Sequence, residues 1–274
     1  MFGKLLKNEL KAQWHSMSAI FFAIIVIAVA GELLALFSSS QMGKVLGGLA
    51  VIAVLFFACV FILIAVGMMY NKTMFGRAGY LTLTLPVKTN KLIWAKTASG
   101  LIWTYLVYFL FLGSCFLWFY QVKELMGEEA LASAETILSL FGVPSFKMIA
   151  VVCIFFAVSL AISALMIVQS IFLGITLSNV KPFSKLGLIG TIIFAFVIFY
   201  CIQSVSNIIS EVLPMGMVVS PQIITFTSDT ALTAATLGKG VIKINFAGPL
   251  FRLLAGILLS IPVSHLTKTA VNIK

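Results

Sequence analysis

NKTMFGRAGYLTLTLPVKTNKLIWAK, Asn71–Lys96, decides how the rest of the chain is read. It carries Lys72, Arg77, Lys88, Lys91 and Lys96 and no acidic residue, and charge-free apolar runs flank it at 46–70 and 97–120. A hydrophilic segment between two such runs is a loop between membrane spans, and basic residues near span ends are retained on the cytoplasmic side. Pro86 has no N–H and disfavours helix at Leu85, so the chain breaks there. Thr89 or Asn90 then caps a helix running through Trp94 into the next span. Before the break, Tyr80, Leu81, Leu83 and Leu85 form a short apolar patch among cytoplasmic lysines. Such a patch docks on a soluble partner, or it is an interfacial turn that dips into lipid with its lysines on headgroups.

Working outward, the whole composition fits that reading. Of 274 residues, 61% are apolar and 9% charged, where a soluble domain carries about 25% charged residues; mean hydropathy is +1.15. The chain is an integral membrane protein. Its net charge of +10 is no nucleic-acid footprint, because the lysines sit at span ends, where inside retention and anionic headgroups account for them. Cys59, Cys115, Cys153 and Cys201 each fall alone in a separate apolar run. They lack zinc-ligand spacing and read as small buried hydrophobes.

The expected fold is all-α and polytopic, one transmembrane domain over 1–274. Residues 1–16 read as an amphipathic interfacial helix, with Phe2, Leu5, Leu6, Leu10 and Trp14 at helical spacing and Lys4, Lys7, Asn8 and Lys11 on the other face. A cleavable signal peptide is the alternative, but the apolar stretch that follows is longer than a signal core. Six spans are expected at 17–37, 46–70, 97–120, 148–177, 186–209 and 249–267, with the loop at 71–96. Arg252 is expected to snorkel to the outer interface, and Gly256, Ser260 and Ser264, four apart, to mark close helix packing. The outer loop 121–147 holds an apolar stripe, Leu131, Ala134, Ile137, Leu138 and Phe141, that predicts a short surface helix. In the outer segment 210–248, Ile242–Phe246 alternates like a strand that Pro221–Ser228 could pair with.

Six spans put both termini on one side. Lys4, Lys7, Lys11, Lys72, Arg77, Lys88, Lys91, Lys96, Lys181, Lys185, Lys268 and Lys274, twelve of the eighteen basic residues, lie in segments assigned inside, with one of the eight acids, Glu9. That asymmetry predicts cytoplasmic termini.

Gly79-Tyr80-Leu81, Leu83, Leu85-Pro86-Val87, Leu92 and Lys96 resemble the G-T-L…L-L…T-P-V-S…K signature that follows the second helix of ABC-2-type transporter permeases, the membrane subunits of bacterial ABC exporters. Arg77 stands where that family usually has an acid, Tyr80 where it has Thr, and Lys88 where it has Ser. The resemblance implies that Phe75, Arg77, Gly79, Tyr80, Leu81, Leu83, Leu85, Pro86, Val87 and Lys96 belong to a coupling segment that docks into a groove of an ATPase subunit. It further implies an N-terminal connecting helix flanking that ATPase, re-entrant helices between spans five and six, two ATPase subunits per complex, and a second permease copy or a homologous permease. The location implied is the bacterial cytoplasmic membrane, and the cargo a hydrophobic or amphipathic peptide, bacteriocin or drug.

The chain has no G-x-x-x-x-G-K-[ST] phosphate loop, so no cofactor is expected in it; ATP and Mg belong to the partner. No catalytic constellation and no metal-ligand spacing is present, and His15 and His265 stand alone near span ends. Polar residues inside spans are few. Glu32, Gln169, Gln203 and Asn207 are candidates for the wall of a translocation path, against the plainer reading of hydrogen bonds between helices. A secondary transporter or channel would call for charged coupling residues at mid-membrane. A membrane enzyme lacks its catalytic groups, and a scaffold or immunity protein is the remaining alternative.

Overall fold

The computed structural model describes the chain except residues 1, 39, 77–78, 80–86, 141–145, 181–182, 214, 220–223, 228–241 and 270–274. Its elements are α1 (Phe2–Leu36), α2 (Gln41–Met74), α3 (Thr89–Leu140), α4 (Phe146–Ser178), a 3-10 turn (Phe183–Lys185), α5 (Gly187–Val212), the strands β1 (Gly216–Val219), β2 (Ile224–Thr227) and β3 (Ile242–Asn245), and α6 (Ala247–Thr269). Among the described residues, six helices are long and apolar enough to cross a membrane, as the hydropathy pattern requires of a multi-pass protein.

The elements run longer than expected in three places. The amphipathic segment 1–16 is the first half of α1, not a separate helix, because no Pro or Gly interrupts 4–30. At about 1.5 Å per residue, 35 residues exceed a hydrocarbon core of about 30 Å, so α1 projects well beyond it. The stripe expected as a surface helix, up to Leu140, is likewise continuous with α3, a helix of 52 residues. The expected loop 71–96 is helical at both ends, since α2 runs on to Met74 and α3 starts at Thr89. Thr89 is the first helical residue rather than its cap, and Lys91 donates its N–H to the Lys88 carbonyl at 2.9 Å.

Close contacts group the chain into two units. The first comprises Met1–Gln121, Ala164–Phe199 and Gly256–Lys274. Its helices meet at small residues, which lets backbones approach where lipid removes any hydrophobic drive to associate. A Cβ on Gly31 would fall 2.5 Å from Val51, one on Gly47 3.1 Å from the Ala35 Cα, one on Gly174 2.7 Å from the Ala195 nitrogen, and one on Gly256 2.9 Å from the Met166 nitrogen. Gly256 and Ser260 are buried, as the four-residue recurrence suggests. Between these crossings Met17, Leu55, Ile62, Met74, Trp103, Val107 and Phe172 form the core. Ser40 caps α2 by accepting the Gly43 N–H at 3.0 Å. Gly187, at φ +54°, turns the chain from the 3-10 segment into α5, a conformation that costs other residues more. Large apolar side chains remain exposed on most spans, as on α5 at Leu188, Ile192 and Phe196; α4 is the most enclosed span and α5 the least.

The second unit comprises Val122–Ser163 and Tyr200–Ala255. Here β1, β2 and β3 form a three-stranded antiparallel sheet in the order β2-β1-β3. The strand expected at 242–246 is present, but it pairs with β1, as Gly216↔Asn245, while β2 pairs with the other edge of β1, as Gly216↔Thr227. The sequence reading had the two outer strands pairing directly and missed the strand between them. Asn245 fastens the sheet to the helices: its amide NH2 donates to the Ser210 and Leu213 carbonyls, and its side-chain oxygen accepts the Ala247 N–H at 2.7 Å to start α6. Phe246 packs edge-on against Phe155 at 5.3 Å.

Candidate functional site

Three helices of the first unit meet where the basic loop joins α3. Lys96 lies two turns into α3, on the face that also buries Leu92, Ile93 and Thr97. Its ammonium donates to Glu9 Oε1 on α1 at 2.8 Å and to Thr73 Oγ1 on α2 at 2.9 Å. Side-chain exposure is 3% for Lys96 and 14% for Glu9, so both charges are largely out of solvent. An ammonium of this kind needs a counter-charge or it costs several kcal/mol. Glu9 meets that need, and Thr73, itself bonded back to the Met69 carbonyl at 2.8 Å, adds a second acceptor.

A polar layer extends from this pair. Ser99 donates to the Lys96 carbonyl and accepts the Gln13 amide at 3.0 Å, joining α1 to α3 again. Thr97 accepts the Gln169 amide at 3.0 Å, joining α3 to α4. The Tyr70 hydroxyl meets Thr176 Oγ1 at 3.2 Å, and its ring stacks on Phe172 at 3.9 Å. Asn179 donates to Asn71 Oδ1 at 3.4 Å, and Ser178 pairs with Thr191 at 2.7 Å. Gln13 Oε1 and Gln169 Oε1 are buried without a partner.

The ten residues of the expected coupling segment fall into three groups. Arg77, Tyr80, Leu81, Leu83, Leu85 and Pro86 lie outside the described residues. Phe75 and Lys96 are buried anchors rather than surface: Phe75 packs edge-on against Tyr70 at 5.8 Å and closes α2 by donating to the Asn71 carbonyl. Gly79 and Val87 stand between. The Gly79 N–H donates to the Gly76 carbonyl at 2.7 Å, and a Cβ there would fall 2.2 Å from the Met74 carbonyl oxygen, so only glycine fits. Val87 is half-buried just before α3.

Of the four path candidates, Gln203 and Asn207 are joined by a described hydrogen bond, and neither Glu32 nor Gln169 is bonded to another candidate. Glu32 sits on the buried face of α1 with Ala28 and Ala35, and neither carboxylate oxygen has a partner. Gln169 is fully buried against Thr97. Gln203 and Asn207, in the second unit, bond to each other at 3.2 Å on an exposed face of α5. A cavity of the first unit lies elsewhere. It is an apolar groove of about 830 Å³ between α2, α4 and α5, walled by Ile64, Met68, Ile171, Ile175, Leu188 and Phe196, with Asn71, Lys72, Ser178 and Asn179 also lining it. That volume suits a drug-sized or lipid-sized ligand.

Arg252, expected to snorkel to the outer interface, has described partners within the second unit. Its guanidinium turns between helices of that unit and donates to Ser206 and Ser163. Sequence reasoning missed Glu9, Gln13 and Ser99. The available signal was a lone acid in a basic terminus, with Gln13 one turn further along the same face.

The arrangement ties α1, α2 and α3 together through one ion pair and its hydrogen bonds. The junction holds no nucleophile with an adjacent base, and no group of three His, Cys, Asp or Glu among the described residues could hold a metal. What it holds is a rigid polar lock across α1, α2 and α3 at the exit of the loop. No family model, curated protein or solved structure matches the chain.

Proposed function

We propose that this chain is the membrane-spanning subunit of an ATP-driven exporter of the ABC-2 type. It moves a hydrophobic or amphipathic cargo across the bacterial cytoplasmic membrane, and its termini are cytoplasmic. ATP and Mg are held by two separate ATPase subunits, and a second permease copy or homologue completes the path. The observation that carries this reading is the buried Lys96–Glu9–Thr73 lock. A partner that pushes on 75–88 moves α3, and the lock passes that displacement to α1 and α2 instead of letting α3 slip. The apolar groove supports an apolar cargo, and the bare sides of α5 support contact with lipid or a second copy. The unpartnered Glu32 carboxylate favours a second reading, a secondary transporter that couples to a cation at that group.

The test is co-purification with the candidate ATPase and stimulated ATP hydrolysis in nanodiscs. Tyr80→Ala should cost about 1–3 kcal/mol of docking, a loss of about 5- to 150-fold in affinity. Pro86→Ala should keep docking and uncouple hydrolysis from transport. Wild-type association and coupling in both variants would overturn the proposal. Transport that follows an ion gradient without ATP would establish the second reading.

A further inference from the structure

Arg252 is a cation in an apolar span whose described partners are all neutral. Its Nε donates to Ser206 Oγ at 3.2 Å and its Nη1 to Ser163 Oγ at 3.0 Å. Both hydroxyls are buried, at 0% and 3% exposure. Each spends its own proton elsewhere, Ser206 on the Gly248 carbonyl at 3.1 Å and Ser163 on the Ser159 carbonyl at 2.7 Å. They therefore meet the guanidinium as acceptors, and two hydroxyls fix its plane from α4 and α5. Of the five N–H groups of an arginine, two are spent and three remain, two of them on Nη2. The one ion pair among the described residues is Lys96–Glu9, so no described carboxylate neutralises this charge. A Cβ on Gly248 would lie 3.6 Å from Nη2 but only 2.4 Å from Ser210 Oγ, so glycine there lets the Ser210 hydroxyl and the guanidinium approach the α6 backbone. An ionised side chain within a span is costly and marks a site whose counter-charge is to be found.

We propose that Arg252, oriented by Ser163 and Ser206, binds the phosphate of an anionic phospholipid from the surrounding bilayer. The geometry suits a phosphate, since a guanidinium held in plane presents paired donors to two oxygens at once. The depth suits a headgroup. Arg252 is five residues into α6, about 7.5 Å from its start, near the boundary between headgroups and acyl chains. The same helices carry exposed Val205, Ile208, Leu250 and Leu254, surroundings an acyl chain accepts. The site is independent of the exporter reading and exists whether or not an ATPase binds.

The experiment is native mass spectrometry of the full-length protein released from mixed micelles of phosphatidylglycerol and phosphatidylcholine. Wild type should retain phosphatidylglycerol with a preference of about tenfold or more, the scale of a charge-assisted pair. Arg252→Gln should bring the two lipids to parity, and Arg252→Lys, which keeps the charge without the fork, should keep part of the preference. Lys44→Gln, elsewhere on the protein, should leave it unchanged. Should Arg252→Gln fail to fold, Ser163→Ala with Ser206→Ala frees the guanidinium without removing it and should cut the preference severalfold. No preference in wild type, or the same preference in Arg252→Gln, would overturn the proposal. So would displacement of the lipid by oleate or by inorganic phosphate at equal concentration, which would assign the site to a carboxylate amphiphile or to a small anion.

Discussion

Replacing Lys96 tests whether the lock holds three helices or merely fills space. Lys96→Met keeps most of the volume but removes a charge with 3% side-chain exposure, and leaves Glu9 and Thr73 without their donor. Breaking a buried pair from one side costs about 3–5 kcal/mol. Glu9, at 14% exposure, recovers some hydration, so about 3 kcal/mol is the expected loss. Glu9→Gln leaves Lys96 an amide oxygen and Thr73 as acceptors and should cost about 1–2 kcal/mol. The double variant carries no unpaired charge, so it should lose less than the sum, with a coupling energy of about 1–3 kcal/mol. The assay is unfolding by added SDS in mixed micelles, followed by tryptophan fluorescence. Trp14 on α1 and Trp103 on α3 lie 5.9 Å apart, so separation of α1 from α3 is read directly. Single-variant losses that add within about 0.5 kcal/mol would refute the lock, because groups that touch in one network do not act independently.

Two further outcomes follow from the packing. Gly174→Ala places a methyl 2.7 Å from the Ala195 backbone nitrogen and should destabilise by about 1–3 kcal/mol; Gly113→Ala, with nothing within 4 Å, should be neutral or gain up to about 1 kcal/mol, and equal melting temperatures in detergent would contradict this. Glu32→Gln exchanges a buried, unpartnered carboxylate for a neutral group and should raise the melting temperature; if Glu32 meets cargo, transport changes while assembly stays intact, and an unchanged transport rate would return it to a structural role.

The spans were legible because lipid imposes one rule, that every backbone polar group be satisfied within its own segment, and a charge-free apolar run of about 20 residues obeys it as a helix. Helix ends were less legible. Hydropathy falls where lipid ends, but helix continues until something breaks it. Nothing between Phe2 and Leu36, or between Thr89 and Leu140, breaks it. Strand β3 showed in the alternation of Ile242, Ile244 and Phe246, whereas β1, with Gly216 and Met217-Val218-Val219, had no alternation to read. Side-chain partners were the least legible part. Glu9 finds Lys96 across 87 residues of sequence, and only the crossing of α1 and α3 sets that pairing.

That crossing changes what the basic loop can be. Phe75 and Lys96 carry the residue types of a docking surface, yet both are consumed inside the fold, one packed edge-on against Tyr70 and the other paired with Glu9. What remains for a partner is the stretch between them, with Tyr80, Leu81, Leu83 and Leu85. A loop fixed at both ends transmits displacement better than one that yields at either end, because less of the applied work goes into local rearrangement. On this argument, loosening either anchor should reduce coupling before it reduces docking, the reverse of the order expected for Tyr80→Ala. Glu9 is then the counter-charge that holds Lys96 at the start of α3. Lys72, Lys88 and Lys91 have no ion-pair partner among the described residues, and under the proposed function they would face acidic headgroups or an acidic face of the ATPase.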